Sequence, residues 1–319
     1  MFNPLYLPLA LLLNVCTPAS DAATIANTGA SATGASVTDP PVASGRLAYD
    51  FSRPEASYTM PGELAELSGI VLSGAGQLTG VQDEMGRLYE YSLTDKRVTR
   101  TIDFGPAGDY EDLARVGDDW FVLRSDGTLF RHSASGTRQY ATGLTIENNA
   151  EGLTYDARSK TLLVACKGSP GGDLTATKRA IYRLDPTTYK VQTPAAYVLD
   201  VDAIVASVPK TAETAAAPSA DKKSKKGKKG KHAGGLKGFA PSAVAVHPVT
   251  GHVFVLSARQ NALVELDDRG ELLAATELPG NLFPQAEGLA FTPEGDLYIA
   301  TEAGKKSGQA MVHLFRQQR

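Results

Sequence analysis

The sequence predicts an all-β chain folded as a five-bladed β-propeller closed by an N-terminal strand. Three observations carry this expectation. One hairpin-like phrase recurs five times, a third short strand follows each copy, and glycine is plentiful with no sustained helical period. Fixed copies of one all-β unit mean a closed ring or a solenoid, and short strands joined by Gly-rich turns favour the ring. A six-bladed ring is the alternative, with 186–204 as the place for the extra blade.

The phrase is clearest between Pro284 and Ala303. Leu289 and Phe291 alternate with Ala290 and Thr292. Pro293-Glu294-Gly295-Asp296 carries turn chemistry, and Leu297–Ala300 is the return strand. Further copies start at Glu151, Glu111, Ser242 and Ser68, with Ser replacing Glu in the last two. Third strands are expected at Arg87–Leu93, Thr128–His132, Ala180–Leu184, Ala262–Leu266 and Met311–Phe315. The blades then run over about 63–104, 108–143, 148–203, 238–279 and 284–317. Only four residues follow Phe315, too few for a fourth strand in blade five, so residues 46–52 are expected to supply it.

Ahead of the propeller, residues 1–22 read as a signal peptide. Leu5–Val15 is an apolar run too short to span a bilayer, and Ser20-Asp21-Ala22 offers a cleavage site. The first residues carry no Lys or Arg, and Asn14-Val15 before Cys16 argues against a lipoprotein. A periplasmic or extracellular location follows. Residues 23–45, rich in Ala, Thr, Ser and Gly, read as a disordered linker. A lysine-rich disordered loop is expected at 206–237, where nine Lys face two acids, a net of +7. With −3 overall, that leaves −10 on the rest of the chain. Such a loop suits an anionic envelope surface electrostatically, or serves only as a solubilising tether; outside the cytoplasm no nucleic acid is expected. A monomer is expected. Cys166, in an apolar strand, reads as an inert buried thiol.

Rotation about the ring axis makes equivalent sequence positions neighbours. Glu111, Glu151 and Glu287 should therefore converge on one channel mouth, with Ser68 and Ser242 completing the ring. Glu66 and Asp109 stand two residues earlier, with Asn149, Ala240 and Gln285 at the same offset. Carboxylates crowded together repel, which a proton or a cation relieves. Ca²⁺ takes oxygen ligands in loose geometry, so Glu111, Glu151, Glu287, Glu66, Asp109 and Asn149 are the candidate metal ligands. No His stands in the ring, which argues against zinc. The competing reading is that these acids accept backbone N–H bonds between blades.

A second ring mixes Asp83, Arg124 with Asp126, Lys167, Arg259 and Glu302. Arg124, Lys167 and Arg259 beside a metal would suit an anionic small molecule, and surface ion pairing is the plainer reading. His247 and His252 flank a turn and are expected to face solvent. No nucleophile elbow or phosphate-binding loop is present.

Phe239-Ala-Pro-Ser-Ala-Val-Ala-Val, the 283–302 phrase, Glu66-Leu-Ser-Gly-Ile70 and Asp109-Tyr-Glu-Asp-Leu-Ala114 resemble the SdiA-regulated family of β-propellers over residues 60–317, less the lysine loop. The resemblance implies an envelope propeller, a link to calcium, and a loose structural likeness to phytase-type propellers. A Ca²⁺-dependent phosphoesterase and a metal-free protein-interaction scaffold are the alternatives to simple calcium binding. Where the family tends to carry an acid, this chain has Ala240, which removes one candidate ligand.

Overall fold

A computed structural model describes residues 47–208, 238–304 and 308–318. All lie within the compact unit Val42–Arg319. The segments expected to be a signal peptide, 1–22, and a linker, 23–45, and the lysine-rich run itself lie outside the described residues.

Strand β1 (Ala56–Thr59) comes first in the chain but belongs to the last blade. Blade one is β2 (Leu67–Gly74), β3 (Gln77–Gln82), β4 (Arg87–Ser92) and β5 (Arg97–Asp103). Blade two is β6 (Tyr110–Val116), β7 (Asp119–Arg124), β8 (Thr128–Ser133) and β9 (Gly136–Ala141). Blade three is β10 (Ala150–Asp156), β11 (Thr161–Cys166), β12 (Lys178–Leu184) and β13 (Tyr197–Asp200). Blade four is β14 (Ala243–Val246), β15 (Val253–Ser257), β16 (Ala262–Leu266) and β17 (Leu272–Glu277). Blade five is β18 (Ala286–Phe291), β19 (Leu297–Thr301) and β20 (Met311–Phe315), with β1 paired antiparallel to β20. The described residues thus form five four-stranded antiparallel sheets. Each first strand packs on the next, and β18 returns to β2, which closes the ring.

Alternation explains the packing. Residues i and i+2 of a strand share a face, and each blade presents an apolar face to each neighbour. Leu163, Ala165 and Ile181 of blade three meet Val244, Val255 and Val264 of blade four. The turn expected at 293–296 is present, and Gly295 adopts φ +97°, a backbone region that side chains resist. Gly152 answers a different need. A Cβ there would lie 2.8 Å from the amide nitrogen of Val244 in the neighbouring blade. Gly152→Ala should therefore cost roughly 1–3 kcal/mol in urea unfolding, because rigid backbone must shift; an unchanged midpoint would show that the blades give way freely.

Several expectations change. The closing strand is Ala56–Thr59, not 46–52. Residues 47–51 contribute side chains instead: Leu47, Tyr49 and Phe51 are buried against blades four and five. The space proposed for a sixth blade, 186–204, holds β13 and the start of helix α1 (Val201–Ser207). The helix starts because Asp200 accepts hydrogen bonds from the amides of Asp202 and Ala203 at 3.0 and 3.1 Å. Its last turn takes residues 206 and 207 out of the expected loop. His247 is only 1% exposed and packs on Phe254 and Phe291. Its Nδ1 accepts from the amides of Val249 and Thr250, so the Asx-like role at this turn falls to an imidazole and pulls it inward. His252 is half-buried and bonds Glu265 at 2.7 Å. Cys166 is fully buried, and burial pushes its thiol up to about 12.

Candidate functional site

The first strands do not run smoothly into their partners. In β2, β6, β10 and β18 the register slips by one residue, between Leu67 and Gly69, Tyr110 and Asp112, Ala150 and Gly152, and Ala286 and Gly288. The extra residues are Ser68, Glu111, Glu151 and Glu287. A β-bulge re-aims the side chain it carries, and here four blades repeat it at the ring position. In blade four Ser242 stands just ahead of β14. Its hydroxyl donates to the Ala286 carbonyl at 3.0 Å and accepts from the Ala258 amide at 3.1 Å, tying blade four to blade five.

These bulges bring the three glutamates together. Burial first, then the charges of Glu151 and Asp109, push Glu111 up to about 10; Lys167 partly offsets them and Glu287 adds to them. Glu287 is pushed up to about 8 by burial, against the pull of Lys167 and with Glu151 and Glu302 alongside. Glu151 is 4% exposed. It accepts from Lys167 Nζ at 2.6 Å and from Asn149 Nδ2 at 2.6 Å, yet burial still holds it above the usual carboxylate range. Lys167 is disfavoured as a cation by burial, but Glu151, Glu287 and Glu111 outweigh that and raise it. Asn149 reaches Glu151 from a left-handed backbone position, φ +45°.

The rim adds more acid. Burial, with Glu66 and Asp83 next, pushes Glu302 up to about 7, while Gln285 donates to it at 2.6 Å. Asp83 is pushed up to about 6 by burial, then by Glu66, Glu84 and Asp109. Its Oδ1 is buried with no hydrogen-bond partner. Asp109 is exposed and bonds Ser125 at 2.5 Å, and Glu66 is exposed. Seven carboxylates, Glu66, Asp83, Asp109, Glu111, Glu151, Glu287 and Glu302, thus share one field, and among the described residues the ammonium within it is that of Lys167.

Among the candidate anion binders, Arg124 is engaged by Asp126 and Thr128, with nitrogen–oxygen distances of 2.8 and 3.1 Å. Lys167 is engaged by Glu151, and Arg259 is exposed. Asp112, beside Glu111, has the role suggested for the ring acids as a whole. It accepts from the Leu113 amide at 2.8 Å and from the Leu153 amide of the next blade at 2.7 Å. At the far ends of the same strands lies a separate cavity of about 380 Å³, lined chiefly by apolar groups such as Val71, Leu72, Tyr155, Val246 and Phe291.

Calcium is the cation the sequence suggests, and the residues fit it in part. The donors are hard oxygens, the charge is strongly negative, and Asp83 leaves an oxygen unpaired. However, among the described residues no three His, Cys, Asp or Glu side chains close on one point. Lys167 is the counterion the carboxylates share, so a metal ion must compete with it.

Blade four and the inner hairpin of blade five carry the recognisable sequence. Residues 209–304 match the SdiA-regulated family. The match falls on the phrases that suggested the SdiA-regulated resemblance in those two blades, and on the Ser242 and Glu287 ring positions. No curated protein matches the chain. Solved structures similar to it include the glutaminyl cyclase of Myxococcus xanthus, 13% identical with a TM-score of 0.54 over 83% of this chain and 95% of that one. Regucalcin, a calcium-binding protein of Agrobacterium tumefaciens, is 16% identical with a TM-score of 0.46 over 86% and 95%. A streptogramin B lyase is 10% identical with a TM-score of 0.44 over 82% and 98%. The first of these bears out the propeller fold; none transfers chemistry at such identity.

Sequence reasoning found the ring acids and left out two things. It gave no sign of the bulges that aim them, since a one-residue slip leaves composition unchanged. It also passed over Arg179, although the alternation of β12 puts residue 179 on the face of Ile181, which is interior.

Proposed function

We propose that this chain is an exported propeller that binds calcium at its acidic channel mouth and acts as a calcium-responsive binding module of the cell envelope. The observation that carries the reading is the meeting of Glu111, Glu151 and Glu287, from three blades, around one ammonium. Glu151, Glu111 and Glu287 would hold the ion, with the Asn149 amide oxygen beside them and Glu66 and Asp109 drawing cations to the rim. The ion would add to the positive charge that Lys167 supplies among the described residues. Because burial and mutual repulsion keep Glu111 and Glu287 protonated near neutral pH, binding should release protons and tighten as pH rises.

Calorimetric titration of Ca²⁺ into the full chain tests this. Glu151→Gln should weaken binding by about tenfold or more, the worth of one charged contact. Lys167→Met should tighten it, since the competing ammonium is gone. Equal affinity in wild type and Glu151→Gln, or no heat at all with wild type, removes the calcium site.

A further inference from the structure

Among the described residues three buried side-chain polar atoms have no hydrogen-bond partner: Asp83 Oδ1, His247 Nε2 and Arg179 Nε. The first belongs to the acidic mouth, and the second sits against the rings of Phe254 and Phe291. Arg179 is the anomaly that the reading above leaves unused. It is 1% exposed and among the largest fully buried side chains of the chain. One of its terminal nitrogens donates to the carbonyls of Ala176 and Lys178 at 2.9 and 2.6 Å. Among the described residues it has no ion pair.

Its neighbours sharpen the contrast. Lys178, one residue earlier on β12, pairs with Asp200. Arg183, four residues on, lies over the Tyr197 ring, 5.6 Å from its centroid. Arg179 stands at the start of β12, at the end of blade three where β11 finishes, and Arg259 stands exposed in the turn just past the end of β15, the equivalent second strand of blade four. Among the described residues the charge that bears on Arg179 is this second cation. Burial and that repulsion together hold Arg179 below the usual guanidinium range. Residues outside 210–237 carry a net −10, yet no acid among the described residues pairs with this buried arginine. A buried charge without a counter-charge is costly, and removing it is expected to stabilise unless a ligand completes it.

We infer that Arg179 and Arg259, at the junction of blades three and four, form a binding site for an oxyanion, a carboxylate or a phosphate group. The planar guanidinium of Arg179 presents its unpaired Nε–H to the anion, and Arg259 supplies a second charge from the solvent side. The site is separate from the calcium reading, and its ligand needs no metal.

The test is calorimetric titration of the full chain with inorganic phosphate and, separately, with acetate, at pH 7 and matched ionic strength. Wild type should bind at least one of the two, and which one binds more tightly assigns a phosphate-bearing or carboxylate ligand. Arg259→Gln, at an exposed position, should weaken binding by about tenfold, the value of one charge-assisted contact. Arg179→Met should abolish it and raise Tm. Glu151→Gln should leave it intact, which separates failure here from failure of the calcium site. No binding of either anion by wild type, unchanged affinity in Arg259→Gln, or a lowered Tm or failure to fold in Arg179→Met would each overturn the proposal.

Discussion

Glu111→Gln is expected to stabilise the protein at pH 8 and to flatten its loss of stability with rising pH. In the unfolded chain Glu111 gives up its proton near the usual 4.5, whereas in the folded chain burial and the neighbouring carboxylates hold the proton to about 10. Between those values the folded state binds the extra proton, so stability falls as pH rises. Glu287, held to about 8, Glu302, held to about 7, and Asp83, held to about 6, act in the same direction over shorter windows. Glutamine keeps the shape of the protonated acid and has no proton to lose. The gain at pH 8 should be on the order of 2–4 kcal/mol, with almost none at pH 4, given ~1.4 kcal/mol per pH unit of mismatch reduced by solvent screening. Urea unfolding at pH 4, 6 and 8 measures it. Parallel pH profiles for wild type and variant would mean that Glu111 is as free to ionise in the folded chain as in the unfolded one.

Tyr49→Ala should destabilise the propeller by about 3–5 kcal/mol, the range for truncating a buried aromatic ring. Tyr49 lies before the closing strand but is buried, and its ring meets Phe51, Phe254 and Phe291 at centroid distances of 5.9, 6.2 and 6.4 Å. Its hydroxyl donates to the Gly295 carbonyl at 2.7 Å, which pins the chain entrance to the turn of blade five. Tyr49→Phe keeps the ring and loses only that bond, at a cost of about 1–3 kcal/mol. The ratio of the two effects, read from chemical denaturation, tells packing from hydrogen bonding. A loss below about 1 kcal/mol for the alanine variant would mean that residues 47–51 rest on the ring without holding it shut.

The gap between 46–52 and 56–59 as closing strand has a plain cause. Leu47, Tyr49 and Phe51 alternate as a strand does, and alternation reports which side chains face inward. It does not report hydrogen bonding. The segment that pairs with β20, Ala-Ser-Tyr-Thr, is half polar and gives a weak signal, while 47–51 is apolar because its side chains pack against blades four and five. The inward position of His247 escapes local pattern for a similar reason. A histidine beside a Pro-Val-Thr-Gly turn resembles a surface residue until its ring is seen accepting two turn amides and packing on two phenylalanines.

By itself the sequence favoured five blades over six, placed the three inner strands of each blade, and predicted the meeting of Glu111, Glu151 and Glu287, because a repeat places equivalent positions around one axis whatever the details of packing. Only the tertiary structure decided that bulges aim those acids, that Lys167 stands among them as their counterion, and that Arg179 is buried with no counterion among the described residues. Periodicity is a property of single strands. Charge pairing and burial depend on what neighbouring blades bring within a few ångströms, and no local pattern encodes that.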